Sequence, residues 1–333
     1  MTKIEAARQE YRDWCEAVDI KSLADVNAIL EAGQGIDLIN LCEARQERKY
    51  AAAADQIFWG RKKHRIVMMS GPSSSGKTSS SLRIAQQCRV LGLTPKVIEL
   101  DNYFVPRDLT PKDEDGKYDF EALGAMDIQL LNDNLNALLA GEEVIIPRFD
   151  FKKGEPVFEE SRRMRLQPSD MLFMEGIHAL NPALTPAVDQ SRIFRIYISA
   201  LSALPGGEKV HNGTTDKRLL RRIVRDNRTR GISPEQTLLL WPSVRRGETR
   251  NIFPFEENAD VVFNSSTLYD LPLLKYYAEP LLYGVAESSP AYAKARQLLE
   301  FLEHVTALKP NEIAAVPPTS IMREFIGGQT LKK

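Results

Sequence analysis

The stretch VMMSGPSSSGKTSS (67–80) holds the residues whose types and spacing speak most directly of chemistry. Gly71, Gly76, Lys77 and Thr78 fit G-x-x-x-x-G-K-[ST], behind an apolar run of strand character and at the opening of a helical one. Glycine lets successive backbone N–H groups converge on phosphate oxygens with no Cβ in the way. The helix that follows adds its unpaired N–H groups and the positive end of its dipole. In such a turn Lys77 neutralises β/γ-phosphate charge and Thr78 offers its hydroxyl to Mg²⁺. Ser73, Ser74, Ser75 and Ser79 complete the predicted cradle. The cofactors this turn predicts are ATP and Mg²⁺.

A phosphate-binding turn alone does not name a reaction. No N-K-x-D guanine-reading motif and no LSGGQ-type signature occurs in the chain. Two carboxylates follow apolar runs at the places where metal and acceptor are handled. Glu175 ends LFME (172–175), where a second strand brings a carboxylate toward the metal; a surface glutamate at a strand edge is the plainer alternative. Asp101 ends VIELD (97–101), and in an open α/β sheet the carboxyl ends of strands border the ligand crevice. There Asp101 can orient or deprotonate an attacking hydroxyl and stand near the metal, and a weak base suffices for a loose transition state. Tyr103 and His178 lie close behind these two acids and are read either as acceptor contacts or as packing.

The segment 216–231 carries arginines at 218, 221, 222, 225, 228 and 230 against two acids. Leu219, Leu220, Ile223 and Val224 take the other face of the predicted helix. A solvated face normally mixes charge signs, so an arginine-only face suggests multidentate oxyanion binding. Arg245, Arg246 and Arg250 form a second cluster beside Trp241, with phosphate, an oligomer contact or the acidic 113–121 loop as open partners. His64, His211 and His304 have no partners at catalytic or metal spacing.

These side chains need a frame to hold them. Apolar, β-rich runs at 65–70, 96–100, 143–149, 170–176, 192–199 and 260–266 predict strands, several of them apolar on both faces. Helical patterns at 77–91, 127–140 and 216–230 lie between them, so the expected fold is α/β: a three-layer P-loop NTPase sandwich with a mostly parallel sheet. Residues 1–62 read as a helical lead-in, 63–270 as the P-loop core with the arginine helix near 216–231, and 271–333 as C-terminal helices and an irregular tail packed on the core. The 101–121 stretch reads as a long functional loop.

Composition bounds the rest. With 43% apolar and 27% charged residues in 333, a packed core is expected. A net charge of −1 gives no general pull toward nucleic acid or anionic membrane, so nucleic acid is an unfavoured partner and a small molecule the favoured one, with homo-oligomerisation left open. No run approaches the ~20 apolar residues of a membrane span. The charged start and three scattered cysteines (Cys15, Cys42, Cys88) fit a soluble cytoplasmic protein with buried free thiols.

GPSSSGKTSS, LDNYF, YDFEALGAMD (118–127), PRFDF (147–151) and FMEGIHALNP (173–182), in this order, resemble the uridine kinase family. That family shares its fold with phosphoribulokinases and pantothenate kinases. EGIHALNP, WPSVRRGE (241–248), NIFPF (251–255) and PPTSIMREFIGG (317–328) resemble a bacterial uridine kinase-like branch, and the likeness spans about residues 20–330. Many members of that branch carry an N-terminal TGS-type domain and a synthetase-like domain; this chain is expected to start after them. The resemblance implies an ATP- and Mg²⁺-dependent transfer of the γ-phosphoryl group to a nucleoside ribose hydroxyl. It makes Asp101 the base, puts Asp119 on the acceptor ribose, and lines the base pocket with Phe149 and Phe151. It also makes Arg218, Arg221 and Arg225 lid residues over the triphosphate. Uridine kinases carry a histidine three residues after the aromatic pair, and Gly154 stands there in this chain. The departure keeps another hydroxyl acceptor, such as a sugar phosphate or a pantothenate-like compound, in view. A nucleotide-binding regulatory or RNA-associated protein with little catalysis is the remaining alternative.

Overall fold

The runs that are apolar on both faces become the middle of a parallel sheet. A computed structural model describes residues 1–333 other than 113, 115, 117, 203–212 and 333, so His211 and part of the acidic loop lie outside the described residues. Strands β1 (Ile66–Ser70), β2 (Thr94–Glu99), β3 (Asp170–Glu175), β4 (Ile193–Ser199) and β5 (Val261–Asn264) form one five-stranded sheet in the order β2-β3-β1-β4-β5. Every pairing in it is parallel. β1 and β3 are buried at every position, which is why they carry no alternation.

One expected strand leaves this sheet. Residues 143–149 split into Val144–Ile145, paired antiparallel with Arg163–Met164, and Arg148–Asp150, paired antiparallel with Glu155–Val157. Pro147 stands between the two pieces. It has no N–H to give a central ladder, and the run becomes two small ribbons beside the site.

Eleven helices surround the sheet among the described residues: α1 (Lys3–Ala17), α2 (Leu23–Glu31), α3 (Gly35–Gly60), α4 (Lys77–Val90), α5 (Ile128–Leu139), α6 (Gly213–Arg230), α7 (Pro234–Asn251), α8 (Asp270–Tyr283), α9 (Tyr292–Glu303), α10 (Pro310–Ala315) and α11 (Arg323–Ile326). Capping boxes start several of them, with Thr2 and Glu5 at α1, Ser22 and Asp25 at α2, and Ser233 and Gln236 at α7. One face of the sheet packs on α5 through Leu131, Leu135 and Leu138. The other packs on α3 and α4 through Ile57, Ile84 and Cys88. A third core joins α1–α3 to α6, α8, α9 and the C-terminal residues Met322 and Phe325. The two ends of the chain therefore meet in one apolar mass, which packs directly against the arginine helix. The cysteines are free and buried. No helix among the described residues is long and apolar enough to cross a membrane.

Candidate active site

The phosphate-type turn follows β1 at the carboxyl edge of the sheet. Gly71 passes so close to β4 that a Cβ there would stand 1.9 Å from the Ile198 carbonyl oxygen, so no other residue fits. Ser74 and Gly76 take positive φ (56° and 83°), which turns consecutive amides into a concave nest. α4 then begins at Lys77 with no side-chain cap from Gly76. Lys77 Nζ donates to the carbonyls of Gly71 (2.7 Å) and Pro72 (3.2 Å). Thr78 Oγ1 donates to Glu175 Oε1 at 2.7 Å. Burial lowers the Lys77 pKa, with the charge of Glu175 the first influence against it.

The carboxylates come from neighbouring strand ends. Glu175 is in register with Glu99 on β2 and Met69 on β1, and Asp101 follows Glu99 by two residues. Together with Lys77 and Thr78, Asp101 and Glu175 line a cavity of about 410 Å³. Glu175 is 9% exposed, and burial raises its pKa against the opposing pull of Lys77 and of the Thr78 hydroxyl. Asp101 is exposed and lines the cavity. Loss of hydration raises its pKa, and Lys77 and Arg230 hold the rise back. Thr78 and the two carboxylates form a hard-oxygen donor set. No cluster of three or more His, Cys, Asp or Glu among the described residues forms a cage. One or two carboxylates, with substrate phosphates supplying the rest, is how Mg²⁺ is usually held, and the donor set here fits that ion.

The arginine helix divides in a way the sequence reading did not anticipate. Arg218 and Arg221 are 1% and 0% exposed and absent from the cavity wall. Arg218 makes a bidentate pair with Glu248 (2.5 and 2.9 Å) and donates to the Ser73 carbonyl at 3.0 Å. Arg221 pairs with Asp270 at 2.7 Å and donates to the carbonyl of Ser265 at 3.0 Å. Both guanidiniums are claimed by buried acids and lie off the cavity wall, so of the three expected lid arginines the structure brings Arg225 alone to the cavity. Glu248 also accepts from the Ser73 N–H at 2.8 Å. Burial pushes the Glu248 carboxyl up, but the Arg218 hydrogen bonds and charge outweigh it and hold the pKa below the usual range. Arg222, Arg225 and Arg230 are the members that line the cavity. All three gather on Asp226, and Arg222 Nη1 also donates to Ser73 Oγ at 2.7 Å. Spacing alone does not separate the two sets, because α6 is packed on both sides by α7 and α8.

Beside this cavity lies a second, of about 380 Å³, whose wall includes Asp119, Ser243, Arg246, Arg250 and Asn251. Glu121 lines both, and burial raises its pKa. Asp119 accepts from Arg250 at 3.4 Å and from the Glu121 N–H at 3.0 Å, while Arg245 turns away to Glu248 at 2.6 Å. Of the partners left open for the second arginine cluster, the acidic loop takes Arg250.

Phe149 and Phe151 sit in an aromatic group with Phe104 at its centre, 5.6 and 6.3 Å from them and 6.4 Å from Phe120. Phe149 is buried, and Phe151 is 61% exposed. Sequence reading did not join Phe104 and Phe120 to this group. Their signal was weak, since each lies in a segment read for its neighbouring acid. Tyr103 is a core residue whose hydroxyl accepts from Asn134 at 3.2 Å, and it lines neither cavity. His178 is buried beside the backbone of Glu121 and Ala122 without reaching hydrogen-bond geometry to either. Burial lowers its pKa to about 4, so the ring is neutral. Gly154 adopts φ +78°, and a Cβ there would meet the Arg107 side chain at 2.9 Å. Arg107 Nη2 donates to the Phe151 carbonyl at 2.6 Å. A side chain at 154 is thus barred by backbone conformation and by Arg107 together.

Residues 66–271 match the model of the Phosphoribulokinase / Uridine kinase family. A uridine kinase of Macrococcus caseolyticus is 29% identical over 199 residues, covering 59% of this chain and 86% of that one. A uridine kinase of Halobacterium salinarum is 26% identical over 197 residues, covering 59% and 78%. Among solved structures, one described as a "Possible Uridine Kinase from Bacillus stearothermophilus" aligns with a TM-score of 0.41 at 18% identity, covering 64% of this chain and 98% of that one. The matched span takes in the phosphate turn, Asp101, Glu175 and the arginine helix, and the chain belongs to the phosphoribulokinase / uridine kinase family.

Proposed function

We propose that the protein transfers the γ-phosphoryl group of ATP to a ribose hydroxyl of a nucleoside. The observation that carries this reading is that one cavity joins Lys77 and Thr78 to Asp101 and Glu175, and shares Glu121 with an adjoining cavity that holds Asp119. Lys77 exchanges its contacts with the Gly71 and Pro72 carbonyls for phosphate oxygens. Thr78 and Glu175 would hold Mg²⁺, with Asp101 within its surroundings; when bound, the ion neutralises charge between the β- and γ-phosphates. Asp101 accepts the proton of the acceptor hydroxyl and aligns it for in-line attack. Arg222, Arg225 and Arg230 supply donors where charge grows on the transferred group. Arg218 and Arg221 donate to the loop carbonyls of Ser73 (3.0 Å) and Ser74 (3.5 Å), so the amides are preorganised before substrate arrives. Asp119 takes a ribose hydroxyl, and Phe151 offers the base an exposed ring.

A second reading rests on Arg246 and Arg250 in the acceptor-side cavity and on Arg107 filling the space at Gly154. These cations suit a hydroxyl acceptor that carries its own anionic group. ADP release from Mg·ATP, measured with nucleosides, pentose phosphates and pantothenate in turn, separates the two. Stimulation by at least one nucleoside supports the first reading, stimulation by an anionic acceptor alone supports the second, and release with none of them contradicts both.

A further inference from the structure

The first three residues of α4 are Lys77, Thr78 and Ser79, and the leading N–H groups of a helix have no partner within it. In this chain one of them is already taken by a negative charge from the far end of the sequence. The Ser79 N–H donates to Glu324 Oε2 at 3.2 Å, and Ser79 Oγ donates to the same oxygen at 2.6 Å. Gln329 Nε2 donates to that hydroxyl at 2.7 Å, so the donor and an acceptor site of Ser79 are both in use. Glu324 lines the same cavity as Lys77, Thr78 and Glu175.

The segment that delivers Glu324 is fastened to the site from several sides. Ile321 fills the space over Gly76, where a Cβ would come within 2.2 Å of its Cδ1. Arg228 of α6 donates to the carbonyls of Phe325 (3.0 Å) and Glu324 (3.1 Å). The Thr330 N–H donates to the Pro318 carbonyl at 3.0 Å and closes the segment into a loop. Phe325 lies buried under the Arg221 guanidinium, 5.0 Å from its ring centre. The helix whose arginines line the cavity therefore also grips the backbone that presents the carboxylate.

We propose that Glu324 is a built-in competitor for nucleotide: its carboxylate occupies the Ser79 amide and hydroxyl that a phosphate of the donor must take, and binding displaces it. This rests on the nucleotide-binding reading of the cavity. A carboxylate at a helix N-terminus is stabilised by the same dipole and free N–H groups that favour phosphate, and the two anions repel each other, so both cannot hold Ser79. The resting site is thus closed against nucleotide from the C-terminal side.

The test is the affinity of the full chain for Mg·ATP and Mg·ADP, measured by titration calorimetry for the wild type, Glu324→Gln and Gln329→Ala, with thermal melts run in parallel. Glu324→Gln keeps the shape and removes the charge, and both nucleotides should bind about tenfold tighter. Gln329→Ala loosens the hold on the hydroxyl from its more exposed side, and a gain of about twofold is expected; it serves if the Glu324 variant loses its fold. A capping carboxylate with a structural role only would give a lower melting temperature with affinity unchanged or weaker, and that result overturns the proposal. Failure of the wild type and both variants to bind either nucleotide overturns the nucleotide reading itself, and the competitor with it.

Discussion

The two halves of the candidate site are built on different principles. On the donor side, side chains come from strand ends and from the first turn of a helix, and each is held by others. Thr78 bonds Glu175, Lys77 bonds its own loop, and Arg218 and Arg221, each paired with a buried acid, reach the loop carbonyls of Ser73 and Ser74. On the acceptor side, Asp119, Phe120 and Phe151 sit on loops and a short ribbon, with Phe120 and Phe151 exposed. The first arrangement suits a ligand that never changes. The second suits one that can vary between relatives by changing loops alone.

If that division is right, substitutions on the donor side should damage turnover or folding and those on the acceptor side should change preference. The largest effect is expected from Asp101→Asn. Removing a positioned base costs about 10²- to 10⁴-fold in kcat, while nucleotide affinity should stay within about twofold. Steady-state kinetics and nucleotide titration check the pair, and near-normal turnover would take Asp101 out of the reaction.

Next comes Arg218→Ala, which takes the bidentate partner from buried Glu248 and leaves it Arg245 and the Ser73 N–H. Breaking a buried pair by removing one partner costs roughly 3–5 kcal/mol, and the surviving Arg245 contact sets the expected loss, read by urea denaturation, at the lower end of that range. A loss near that of an exposed pair would show that the loop does not depend on Arg218.

A subtler separation comes from pH. A carboxyl with a raised pKa keeps its proton to higher pH, so as pH falls Asp101 and Glu175 protonate earlier than free side chains. The acidic limb of kcat/KM, which reports the free enzyme, should therefore lie above the ordinary aspartate value of about 3.9. A rate that holds steady down to that value would contradict the enclosure described here.

The smallest effect belongs to the acceptor side. Phe151→Ala should raise the acceptor KM by about three- to tenfold, the worth of one aromatic contact, with the ATP KM unchanged. A change in the ATP KM instead would erase the boundary between the halves.

The same boundary marks what could be read from residues in order. The phosphate turn is legible because a strand, a turn and a helix start within 14 residues state their own geometry, and Glu175 because it ends a separate run apolar on both faces. The arginine helix was legible as chemistry but not as orientation. The acids that decide it, Glu248 and Asp270, stand 30 and 49 residues away. Residues 143–149 looked like a sheet strand because periodicity reports local character, while Pro147 decides which ladder such a run can join. Glu324 gave no signal of its role: its segment carried a family likeness but read as an irregular tail, and the packing of Ile321 over Gly76 and of Phe325 under Arg221 brings that carboxylate 245 residues back to Ser79.

The central claim is that the cavity pairs a nucleotide donor with a nucleoside hydroxyl through Asp101. Its most direct test is transfer of label from γ-³²P-ATP to uridine, cytidine and purine nucleosides by the wild type and by Asp101→Asn. The account predicts a labelled nucleoside monophosphate from at least one of them with the wild type, and a loss of about 10²-fold or more in the variant. Binding of ATP without label on any nucleoside, or equal transfer by both proteins, would contradict it.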